Sequence, residues 1–230
     1  MKSKSNALVV LLAFGATLVW PRALPAADAA LPDDAYGRVV SGRAAKIVAT
    51  LGIDDPARAD RVRDVIASQY RNLRDIQAAR DARLAEADAS SAPDREAAAA
   101  RVRADSDLQV FRLHFAFVAR LSAELTPTQV DQVKDGLTYG VLPGTYKHYL
   151  ELYPQLTGEQ KLQISAWLIE AREYAMDGGS AEEKHGWFGK YKGRINNYLS
   201  AAGYDAKAAE QAWMERTKAA KENSTANAPE

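Results

Sequence analysis

Between Glu183 and Leu199 the chain interleaves aromatic rings with cations and amides at helical spacing. Trp187, Tyr191, Ile195 and Tyr198 recur every three or four residues, so a helix would gather them on one face. Such a face is most simply a core face. Two features ask for more than packing. Gly186, Gly189 and Gly193 form a stripe in which each glycine costs a helix about 1 kcal/mol relative to alanine, so a neighbouring helix or a ligand is expected to approach that backbone closely. Lys190, Lys192, Arg194, Asn196 and Asn197 then place planar or cationic donors beside the rings. Rings that stack on the apolar face of a sugar, with amide and guanidinium groups for its hydroxyls, are what a carbohydrate site requires. An anionic sugar would add a reason for the cations.

A second aromatic cluster runs from Thr138 to Tyr149 and includes Tyr139, Tyr146 and His148 on a connection broken by Gly140, Pro143 and Gly144. Tyrosines there are harder to explain as core than tyrosines inside a helix, although a tyrosine-lined helix contact with surface hydroxyls would also produce them. Together the segments nominate Tyr139, Tyr146, His185, Trp187, Lys190, Tyr191, Arg194 and Asn197 as ligand-binding residues.

Other chemistries find less material. The chain has no cysteine, which excludes thiol catalysis, disulfides and a lipoprotein anchor. Its three histidines, His114, His148 and His185, show no paired ligand spacing. Glu182 and His185 make a single Glu-x-x-His, whereas a di-iron bundle site needs two and further glutamates. No cofactor or metal is expected. Glu170 and Glu173 read as a solvated helix face. A glycosidase built on paired carboxylates stays open, because its two acids need only meet in space. No Gly-x-Ser-x-Gly elbow or phosphate-cradling glycine loop is present.

Positioning these residues falls to helices. Residues 1–29 have the pattern of a secretory signal peptide: Lys2 and Lys4, an uncharged apolar run from Ala7 to Trp20, and small residues around Ala27 and Ala29. That run is too short for a membrane span, which needs roughly 20 residues. The expected product is therefore periplasmic or secreted, with no membrane contact after cleavage. It would carry 27 basic and 29 acidic side chains, a net of −2. Nucleic-acid binding is not expected, because neutralising phosphates calls for a basic excess.

In the remaining chain, period-two alternation is absent and apolar residues recur every three or four positions, as in Tyr36, Val40, Ala44, Ile47 and Leu51. Asp55-Pro56 opens a second helix. A third is expected from Arg95 to Leu125, with Leu108, Phe111, Phe115, Val118 and Leu125 on one face. Capping boxes at Thr126–Gln129, Thr157–Gln160 and Ser180–Glu183 predict helix starts near Pro127, Gly158 and Ala181. A shorter helix fits between Pro143 and Tyr153, and a last one from Ala206 to Ala219. The expected fold is all-α, an irregular multi-helix bundle with antiparallel neighbours. It occupies residues 30–220 as one domain, and 221–230 form a polar disordered tail. Nothing in the sequence sets an oligomeric state.

Two resemblances bear on function. Leu125-Thr-x-x-Gln129 and Leu156-Thr-x-x-Gln160 resemble the paired motif of the periplasmic Spy and CpxP chaperones, over about ten residues that capping alone also explains. The segments Asp135–Val141 and Glu183–Leu199, with the opening from Ala45 to Asp64, resemble a bacterial secreted family of unknown function described as sugar-binding. That likeness carries no catalytic residues over but agrees with the aromatic-basic segment, and together they lead to the expectation of an exported, non-catalytic carbohydrate-binding module. A periplasmic chaperone and an unrecognised carbohydrate-active enzyme are the alternatives.

Overall fold

The computed structural model describes residues 32–89 and 94–226, so the signal-peptide pattern at 1–29 lies outside the described residues. Among them there are eight helices and no strand: α1 (Asp33–Val48), α2 (Pro56–Ala89), α3 (Arg95–Glu124), α4 (Pro127–Leu137), α5 (Val141–Leu152), α6 (Gly158–Met176), α7 (Ala181–Ala201) and α8 (Ala206–Ala226). The fold is an all-α multi-helix bundle. Residues 221–226, expected to begin a disordered tail, continue α8.

The starts of α4, α6 and α7 fall where the caps place them. Thr126 and Thr157 each accept from the backbone N–H three residues on, and the Gln129 and Gln160 side chains reach back to complete both boxes. At α7 only half the box forms. Ser180 accepts from the Glu183 N–H, but the Glu183 carboxylate accepts from the N–H of Gly179 instead of that of Ser180.

Two hydrophobic clusters hold the bundle. The first joins α1 to α4 through Val40, Ile47, Val62, Ile66, Leu121 and Val133, and takes in Met176 from the end of α6. The second joins α5, α6 and α7 through Leu152, Ile164, Leu168, Phe188, Ile195 and Leu199, with Trp213 of α8 packed against it. The chain passes between them at Tyr139 and Gly140, both left-handed with φ of 59° and 67°. A non-glycine residue in that region is uncommon and mildly strained.

α3 corrects part of the expected apolar face: Leu125 is buried and Val118 packs against the first cluster, but the rest turns outward. Its inward residues are Ala99, Val102, Ser106, Phe117 and Leu121. Leu108 is exposed, as are Phe111 and Phe115, at 59% and 58%. The register against α2 is pinned by Arg61 to Glu124 at 2.8 Å and Arg83 to Asp105 at 3.1 Å. A helix with two apolar stripes can bury only the one its register turns inward.

Candidate functional site

α7 runs beside α6, and the rotation of its residues decides which side chains line the groove between them. Its buried positions are Lys184, Phe188, Tyr191, Ile195 and Leu199, spaced four, three, four and four. The expected core face was Trp187, Tyr191, Ile195 and Tyr198. Tyr191 and Ile195 are buried, whereas Trp187 and Tyr198 sit half-buried at its edge. A lysine in the inward row hides the true face from any reading of apolar periodicity.

Trp187, Lys190, Tyr191 and Arg194 line one cleft of about 370 Å³, together with Glu170 and Tyr174 from α6. The Tyr174 and Trp187 rings stack with centroids 4.5 Å apart and planes 16° from parallel. Tyr174 is 48% exposed. The Lys190 ammonium lies 5.0 Å from the Trp187 ring centre, and the Arg194 guanidinium 4.7 Å from that of Trp167. Trp167 in turn meets Tyr198 edge-on at 5.2 Å. Glu170 is the cleft's one carboxylate. It faces Arg194 at 3.7 Å, and burial, with Glu170 nearby, pushes the Tyr191 phenol up to about 12.

The other nominated residues go elsewhere. Tyr139 stacks on His185 at 5.8 Å, on the side of α7 where Tyr149 donates to Asn196 at 2.8 Å. Burial, with Lys192 nearby, lowers the His185 imidazole below its ordinary value. Tyr146 packs against the second hydrophobic cluster, and Asn197 is exposed on α7 outside the cleft. One expected site is thus two places. The glycine stripe is a third: Gly186, Gly189 and Gly193 are exposed, and a Cβ on any of them would meet nothing within 4 Å. Among the described residues no helix packs there.

Two features escaped sequence reasoning. Lys184 is 4% exposed, donates to the Leu137 carbonyl at 2.9 Å, and lies near the Tyr70 and Tyr139 rings. Burial pushes its ammonium down to about 8. The second is a polar junction where α2, α3, α4 and α6 meet. His114 Nδ1 stands 2.7 Å from Asp177, Nε2 stands 3.7 Å from Glu173, and Lys134 donates to Glu173 at 2.8 Å. Gln69 also reaches Asp177, at 3.4 Å. Asp131 and Asp135, one turn apart on α4, grip the buried Arg172. Glu173, expected on a solvated face, is therefore part of this network. A second carboxylate, Glu173, thus faces Nε2, and the network ties α2, α3, α4 and α6 together. Among the described residues no group of three His, Asp or Glu side chains could hold a metal ion, and no helix is long and apolar enough to cross a membrane.

The molecule is thus an all-α bundle with an aromatic and cationic cleft between α6 and α7. It belongs to the family described as "Protein of unknown function (DUF3826)", which matches residues 37–219. No curated protein matches the chain.

Proposed function

We propose that this chain is an exported, non-catalytic module that binds carbohydrate in the cleft between α6 and α7. The observation that carries the reading is the Tyr174–Trp187 stack, whose exposed outer ring stands beside Lys190, Arg194 and Glu170. A pyranose has an apolar face that can lie on a ring, and hydroxyls at its rim that need donors and acceptors. The ring is stiffened by a second ring behind it, so little ordering entropy is lost on binding. A lone carboxylate in the cleft favours binding over hydrolysis by paired acids. The signal-peptide pattern of residues 1–29 supports export.

The test is a glycan-array screen of the chain begun at Ala30, followed by calorimetry on the best hit. Tyr174→Ala and Arg194→Ala are each expected to weaken binding about ten-fold, or roughly 1.4 kcal/mol. Tyr174 and Arg194 are exposed, so melting temperature should change little. Asn197→Ala, outside the cleft, should bind as the parent does. Full affinity in both cleft variants would remove the site from this groove.

A second reading, a periplasmic chaperone of the Spy and CpxP kind, is favoured by the exposed Leu108, Phe111 and Phe115 on α3. The same screen separates the two if a Phe111→Ser/Phe115→Ser variant is included. Loss of protection of an aggregating client, with sugar binding absent throughout, would support the chaperone.

A further inference from the structure

The charge in the α6–α7 cleft is not evenly satisfied. Its two cations face one carboxylate, and that carboxylate is already engaged: Glu170 pairs with Arg194. Lys190 has no carboxylate within 4 Å among the described residues, and its ammonium lies over the Trp187 ring. A cation–π contact of this kind holds an ammonium at a defined place without neutralising it. The cleft therefore presents an exposed aromatic ring and, over the ring stacked behind it, a cation with no carboxylate partner among the described residues.

A neutral sugar leaves that cation unused. A hexuronic acid differs from a neutral hexose in one group, a carboxylate on the carbon next to the ring oxygen, which projects from the rim of the pyranose. When the apolar face of the sugar lies on Tyr174, this carboxylate projects into the cleft that Lys190 also lines. A charge-assisted bond between ammonium and carboxylate is about twice as strong as a neutral one. Arg194 is the weaker candidate for the same role, since Glu170 already competes for it. Resting on the carbohydrate reading of this cleft, the geometry points to an acidic, uronic-acid-containing oligosaccharide as its ligand, with Lys190 as the residue that reads the carboxylate.

The test uses tetrasaccharides of glucuronic, galacturonic and mannuronic acid, each beside its carboxyl-reduced, neutral counterpart, in calorimetric titrations of the chain begun at Ala30. At least one acidic form should bind about ten-fold tighter than its neutral partner at low salt, as one charge-assisted hydrogen bond would give. The preference should shrink as salt rises. Lys190→Gln should abolish the preference, so that the acidic and neutral forms bind alike. Glu170→Gln should widen it, because it removes the competing negative charge. A structural role for either side chain would affect both forms alike, and that result would overturn the assignment. Equal binding of acidic and neutral forms by the parent would also overturn it, while leaving the carbohydrate reading intact. Binding of neither form, with no hit in the glycan screen, would overturn both.

Discussion

His114 and Lys184 are displaced from their ordinary protonation in opposite directions, and they leave opposite marks on stability. Its hydrogen bond to Asp177 raises His114 above 6.5, with burial opposing and Glu173 assisting. The folded chain then holds this proton to a higher pH than the unfolded chain does. Its contribution is complete below about 6.5 and is lost as pH rises through the raised value. For Lys184 burial lowers the value from 10.5 to about 8, so between those limits the unfolded chain binds more protons and stability rises with pH. The whole rise is of the order of 3 kcal/mol. Denaturant titrations from pH 5 to 10 should show both slopes, with His114→Gln removing the first and Lys184→Met the second. Neither behaviour could be read from the sequence. The main partner of His114 lies 63 residues away, and a lysine inside an aromatic segment looks like surface.

At the scale of helices, legibility depended on whether the signal was local. The boxes at Thr126 and Thr157 were readable because all their partners lie within four residues. The buried faces of α3 and α7 were not, because a face is chosen by the neighbouring helix. Four of the eight nominated ligand residues line one cleft, while its partners on α6, Glu170 and Tyr174, had no local mark. The glycines divide the same way. Gly136 of α4 lies against α1, and a Cβ there would come 2.8 Å from Ile47 Cγ1. Gly136→Ala should therefore cost about 1–3 kcal/mol through overpacking. Gly189 faces open space, so Gly189→Ala should instead stabilise by roughly 0.5–1 kcal/mol through helix propensity. Thermal melts of the two variants should move in opposite directions. A destabilised Gly189→Ala would mean that something packs on that stripe in solution.

Across the whole molecule, the two clusters draw on successive stretches of chain with one exception. Every buried member of the first comes from Tyr36 to Leu137 except Met176, the last residue of α6, while the rest of that helix serves the second. Each half therefore draws its buried core from one continuous run of chain apart from that residue. Met176 helps make the halves interdependent, since burying it requires α6 already folded against its own neighbours. It shares that coupling with the polar junction around Asp177 and Arg172 and with the buried Lys184, which bonds to the Leu137 carbonyl. In differential scanning calorimetry the parent should melt in one transition. Met176→Ala should broaden or split that endotherm, because the truncated side chain no longer obliges the second half to fold before the first can finish.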